Sequence, residues 1–262
     1  VLKNAEDTTS SKYTSGNSKV ASVDTKGEIT ANKEGFTTIV VTKEGTNYSS
    51  IAQVTVLPEG VEIEPMALTA GSHTVILKAD GTVWSYGINS SYELGDGTTT
   101  SSDMPINVKF PEGTIIKQIA VGNTHNLALD SEGNVWGWGA NSNNALGTIT
   151  ARVPVKLGLT GIKKIAANND QSMALTSDGY VYVWGLNNNG ELGIRTYEKV
   201  TKPTLLPYIN SVLDISLGKN HSILLTTNGK VLTTGLNAYG QTGKKEGKSN
   251  TFEEIKLSDL IG

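Results

Sequence analysis

The sequence predicts an all-β chain assembled from repeated sheet modules. Three observations predict it. A ten-residue layout of acid or Asn, Gly, a short β-prone run, a second Gly and then Asn occurs at residues 80–89, 132–141, 178–187 and 228–237. The runs between the glycines are Val-, Trp- and Tyr-rich in most copies, and those residues fit a pleated, buried surface. The 262 residues include 29 Gly and only 37% apolar residues, and no segment has a helical period, which suits a turn-dense β protein.

Taken from the start, residues 1–57 lack that layout. Short alternating runs at 20–24, 27–31, 37–42 and 51–56 read as strands separated by turn residues. Residues 57–65 hold two Pro, one Gly and three Glu, the composition of a short extended linker.

From residue 66 the repeat sets the architecture. Gly81, Gly133, Gly179 and Gly229 are 52, 46 and 50 residues apart. Gly87, Gly139, Gly185 and Gly235 keep those intervals, as do Gly95, Gly147, Gly193 and Gly243, and His73, His125, Gln171 and His221. Each copy is therefore a part of constant length plus a later loop that absorbs insertions. The constant part reads as a hairpin. Val75-Ile76-Leu77 leads in, Asp80-Gly81 turns, and Val83-Trp84-Ser85-Tyr86 leads out. A two-residue type I′ turn is expected, for which Glu132 is the least suited of the four turn residues. Pro105, Pro154 and Pro203 fall in segments that read as links between copies. Residues 115–120, 162–166 and 212–216 read as strands entering the next copy. A unit this small cannot bury both faces alone, so copies must stack, and a period near 50 built of short strands points to propeller blades.

Two resemblances follow from these residues. Gly122-Asn123-Thr124-His125, Trp184-Gly185-Leu186-Asn187 with Gly190-Glu191-Leu192-Gly193, and Gly218-Lys219-Asn220-His221 with Gly240-Gln241-Thr242-Gly243 resemble RCC1 repeats over about residues 66–262. Departures are Tyr92 in place of Gly, Gln171 in place of His, and Thr234 in place of an aromatic. The resemblance implies four propeller-type repeats. RCC1 rings have seven blades, so an open propeller or an oligomer covering its edges is expected. Residues 11–57, with Val20-Ala21-Ser22-Val23-Asp24 and Gly27-Glu28-Ile29-Thr30-Ala31, resemble a bacterial Ig-like domain of BIG2 type that lacks its opening strands. That implies a truncated β-sandwich in residues 1–57, a linker at 58–65, and a chain that starts inside a longer secreted or cell-surface bacterial protein.

Composition excludes several functions. With no Cys there is no disulfide framework and no thiolate chemistry. No run of 18 apolar residues exists to span a membrane as a helix. The net charge is −3 and the only Arg are Arg152 and Arg195, so the basic stripe that nucleic acid needs is absent. The three His share one repeat position, which says scaffold rather than catalysis or metal ligation. Trp84, Trp136, Trp138 and Trp184 also sit at repeat positions and read as packing. The oxygens of residues 96–103 lack the EF-hand spacing. No catalytic residue, metal site or cofactor is expected. Tyr92 and Tyr239 interrupt Gly- and Asn-rich turns and are the candidate ligand-binding residues. The expected function is a non-catalytic binding or adhesion module whose partner is a protein or surface glycan. The alternative is a specific protein inhibitor or regulator of RCC1-like type, comparable to a β-lactamase-inhibiting propeller.

Overall fold

The computed structural model describes residues 11–45, 49–244 and 247–255, and among these it is all-β apart from one 3-10 turn at Ser142–Asn144. Four antiparallel four-stranded sheets follow one another. Counting strands from the N-terminus, blade 1 is β6 (Met66–Ala70), β7 (His73–Leu77), β8 (Val83–Gly87) and β9 (Ser102–Asn107). Blade 2 is β10 (Ile116–Val121), β11 (His125–Asp130), β12 (Val135–Gly139) and β13 (Ala151–Lys156). Blade 3 is β14 (Ile162–Asn168), β15 (Gln171–Thr176), β16 (Val181–Gly185) and β17 (Val200–Leu205). Blade 4 is β18 (Val212–Leu217), β19 (His221–Thr226), β20 (Val231–Leu236) and β21 (Lys248–Ile255).

The first strands converge. β10 packs against β6 and β7, β14 against β10 and β11, and β18 against β14 and β15. The first strand of each blade therefore lies at the hub and the fourth at the rim. One apolar core runs through blades 2 to 4 and a second through blades 1 and 2. The propeller is not closed: the blades form an arc, and burial records it. β11 is buried at all six positions, whereas β19 alternates buried and half-exposed residues, so one face of blade 4 lacks the cover that a following blade gives blade 2.

The hairpin turns differ in type from the sequence expectation. Gly81 N donates to Lys78 O (2.9 Å) and Lys78 N to Thr82 O (3.0 Å), with the same pair of bonds around Gly133, Gly179 and Gly229. The four glycines have φ between 77° and 84°, while Asp80, Glu132, Asp178 and Asn228 keep negative φ. This is the three-residue turn with a left-handed bulge residue, not a two-residue type I′ turn. Glu132 is accommodated because its position needs no positive φ. The second glycine of each hairpin, exemplified by Gly139 (φ 101°), sits at a register shift; a Cβ there would strike the Thr124 carbonyl.

Pro105, Pro154 and Pro203 lie inside β9, β13 and β17, not in links between blades. Those are the outermost strands, where a residue without N–H breaks no ladder.

The N-terminal region holds a three-stranded sheet of β1 (Ser11–Ser15), β4 (Gly35–Lys43) and β5 (Ser49–Val56), and a hairpin of β2 (Ala21–Val23) and β3 (Ile29–Ala31). The expected truncated Ig-like sandwich is not supported. Among the described residues there, the buried apolar ones are Val20, Ala21 and Ile39. Three small or medium side chains do not fill the gap between two facing sheets, which is about 10 Å thick. Residues 1–10 of the expected module lie outside the described residues.

Candidate functional site

In each blade the turn between the first two strands and the loop between the last two emerge at the same end, because neighbouring strands are antiparallel. This loop end is the candidate binding surface. Its scaffold is a set of buried side chains at repeat positions. Asn89 Oδ1 accepts from Leu94 N (2.9 Å), and its Nδ2 donates to Thr98 O (2.9 Å) and Thr100 O (3.1 Å). Asn187 does the same with Leu192 N, Thr196 O and Glu198 O, and Asn237 with Thr242 N and Lys244 O. The Asn that follows each Gly in sequence thus pins an irregular loop from inside, satisfying backbone groups that would otherwise be buried unpaired.

A second ladder joins blade to blade. His73 Nε2 is 2.7 Å from Asn126 Oδ1, and Asn126 Nδ2 donates back to Glu93 O at 2.9 Å. One step on, His125 Nε2 is 2.8 Å from Ser172 Oγ, whose hydroxyl donates to Ala145 O at 2.7 Å. His125 must then be the donor, in the Nε2–H tautomer, and its Nδ1 is buried without a hydrogen-bond partner. Burial, with His73 nearby, pushes the His125 imidazole down to about 3, so the ring is neutral at ordinary pH. Gln171 keeps the role in blade 3 by donating to Lys219 O (2.8 Å). Among the described residues the His221 ring has no such partner. The His set is scaffold between blades, and no group of three or more His, Asp or Glu among the described residues could hold a metal.

Tyr92 and Tyr239 both stand on the loop end, on blades 1 and 4, with two blades between them; the structure does not bring them together. Tyr92 has φ 67°, at the position filled by Asn144, Gly190 and Gly240 in the other blades, all left-handed. A bulky residue there is strained by roughly 1–3 kcal/mol. Its ring is half-buried with the Arg152 guanidinium 5.2 Å from its centre. Tyr239 precedes its left-handed glycine, Gly240, and is 94% exposed. Sequence reasoning missed an Asn-rich rim between them. Asn123 N donates to Asn169 O (2.9 Å), Asn123 Nδ2 to Asn169 Oδ1 (2.6 Å), and Asn143 Nδ2 to Asp170 Oδ2 (2.8 Å).

A profile of the RCC1-like domain matches residues 13–260. The chain belongs to the RCC1-like domain family. The match takes in the N-terminal sheet as well as the four blades and supports no separate Ig-like unit. Among curated RCC1-like relatives, the mitochondrial RCC1 domain-containing protein RUG3 of Arabidopsis thaliana is 42% identical over 82 residues, 31% of this chain and 18% of that protein. The ultraviolet-B receptor UVR8 of the same plant is 36% identical over 105 residues, 39% of this chain and 24% of that protein. The matched segments thus span less than a quarter of these relatives. Among solved structures, human WBSCR16 superposes with a TM-score of 0.66 at 19% identity over 85% of this chain and 65% of that one. Prp20p of Saccharomyces cerevisiae gives 0.64 at 18% identity, over 85% and 61%. These likenesses show the shared RCC1-like fold.

Proposed function

We propose that this chain is a non-catalytic protein-binding module that engages its partner through the loop end of the blades, with Tyr92 and Tyr239 as anchors. The observation that carries the reading is Tyr92 itself. Three of four copies place Asn or Gly at that left-handed position, and the fourth places a strained Tyr with no core to fill. Strain retained on a surface loop points to use. Tyr239, almost wholly exposed, has no packing reason either, and a Tyr ring offers large contact area with two χ angles to immobilise. The solved structure of Prp20p is described with its binding properties to Gsp1p and histones, and another holds Kap60 bound to yeast RCC1 (Prp20). Those properties belong to those proteins; they support a protein partner here, over the surface glycan also expected from the sequence. Whether the module serves adhesion or regulates a partner depends on the partner.

A secreted or cell-surface setting in a bacterium is part of the same proposal, and the absence of Cys is compatible with it. Association of copies through the open face of β19 is a further part of it.

The test is capture of proteins from cell-surface and soluble extracts by the immobilised chain, repeated with Tyr92→Ala and Tyr239→Ala. A partner retained by the parent and lost, by about tenfold in affinity or more, from both variants supports the reading. Partners retained equally by all three proteins would refute these anchors.

A further inference from the structure

On the flank of blades 3 and 4, away from the hub, Arg195 and Tyr208 form a feature that the loop-end reading does not use. Arg195 Cζ lies 3.7 Å from the centre of the Tyr208 ring, which is 69% exposed. So short a separation leaves room only for a stacked guanidinium, and Arg195 is exposed, so solvent reaches the pair. The backbone holds it there: Arg195 N donates to Asn250 O of β21 at 2.7 Å, and Ile194 pairs with Thr251. Beside the stacked pair is a cavity of about 170 Å³ lined by apolar Ile194, Leu206, Pro207, Ile209 and Phe252. A cavity of roughly 150 Å³ takes a benzene-sized group.

Two facts set this apart from a seam filler. Arg195 has φ 65°, and its counterpart in blade 1 is Gly97 (φ 89°), whose N–H makes the same bond to the next blade, to Arg152 O. Gly therefore serves the structural role, and Arg adds only strain and charge. Among the described residues, moreover, no carboxylate pairs with Arg195.

The geometry points to a site for the C-terminus of a protein chain ending in an apolar residue. The terminal carboxylate takes the free edge of the Arg195 guanidinium, and the last side chain enters the adjoining cavity. In a terminal residue both groups leave one Cα, which matches a cation at the lip of a one-side-chain recess. An aspartate or glutamate offers a carboxylate but no second apolar group on the same Cα. The charge-assisted, two-pronged Arg–carboxylate bond supplies orientation, and the recess supplies selectivity for the last residue.

The test uses the peptide Gly-Gly-Gly-Ala-Leu with a free C-terminus, its C-terminal amide, and an amidated peptide with an internal Leu-Glu pair, each titrated into the full chain. The site predicts saturable binding of the free acid, weakened about tenfold or more in both other peptides. Arg195→Gly should melt at or above the parent temperature and lose that preference. Arg195→Lys, which keeps charge without the planar fork, should bind weakly. Equal binding of acid and amide, parental binding by Arg195→Gly, equal binding of the internal Leu-Glu peptide, or no saturation by several millimolar would each overturn the assignment. Because none of these measurements involves Tyr92 or Tyr239, failure here is distinguishable from failure of the loop-end reading.

Discussion

His73 Nε2 meets Asn126 Oδ1 at 2.7 Å across the seam between blades 1 and 2, and both residues are buried. The Asn126 amide also donates to Glu93 O, which accepts from Trp138 Nε1 as well, at 2.9 Å each. One side chain thus closes a seam from both sides. Asn126→Leu should leave the His73 ring without its acceptor inside a dry interface and lower stability by about 1–3 kcal/mol. Asn126→Ser, the residue type of blades 3 and 4, should lose less. Denaturant melts of the two variants check the order; equal losses would mean that the bond carries little.

Stability should fall on the acid side because of His125. Burial keeps its folded ring neutral down to about pH 3, while in the unfolded chain it protonates near 6.5. Below about 6.5 the unfolded state binds the extra proton, so folding weakens by about 1.4 kcal/mol per pH step until about 3. His73 and His221 are lowered too, mainly by burial, and add in the same sense. Glu191 opposes: burial raises its carboxyl, so it weakens folding as pH rises above the usual carboxylate range. The difference between parent and His125→Gln isolates one ring. The parent should lose more stability than the variant between pH 6.5 and 5, and parallel curves would contradict the assignment. Gln171 holds the equivalent place in blade 3, which makes Gln the suitable replacement.

Glycine positions should separate by what surrounds them. Gly139→Ala places a Cβ against the Thr124 carbonyl at φ 101°, and a loss of about 3 kcal/mol or more is expected. Gly229→Ala has nothing within 4 Å and meets only the φ penalty at 80°, about 1 kcal/mol. Thermal melts rank them; the reverse order would contradict the bulge geometry of the hairpins.

Tyr92 should prove dispensable for folding. Tyr92→Gly relieves the left-handed backbone and gives up a ring contact with Arg152, so its stability should stay within about 1 kcal/mol of the parent. Trp138→Ala empties a fully buried site and should cost about 3–5 kcal/mol. If Tyr92→Gly melts like Trp138→Ala, Tyr92 is a packing residue and the loop-end anchor is lost.

What was legible in the sequence was what recurs. The hairpins followed from the spacing of Gly81, Gly133, Gly179 and Gly229, and the scaffold role of the His from their shared phase. The Asp-Gly and Asn-Gly pairs misled the turn assignment, because they mark both the type I′ turn and the bulged turn; Glu132, the residue least suited to type I′, was the sign against it, and φ tells the two apart. Pro105, Pro154 and Pro203 hid three rim strands, since the rule against Pro in strands lapses at an edge that pairs on one side. β1 was missed because Ser11–Ser15 has no apolar run; it forms by pairing with β4 along its whole length. Tyr92 and Tyr239 stood out as departures from the pattern. Arg195 did not, because its counterparts Gly97 and Ile149 show no pattern to depart from.

Four blades stack in an open arc and are held by side chains that cross each seam. In such a chain, local stability should track the number of covered faces. Native-state hydrogen exchange, followed strand by strand, measures this directly. β11 and β15, enclosed between neighbouring blades, should be the last to exchange, and β19, whose alternate residues including His221 are half-exposed, should exchange earlier. Equal protection of β19 and β11 in the monomer, or slower exchange in β19, would contradict the open arc.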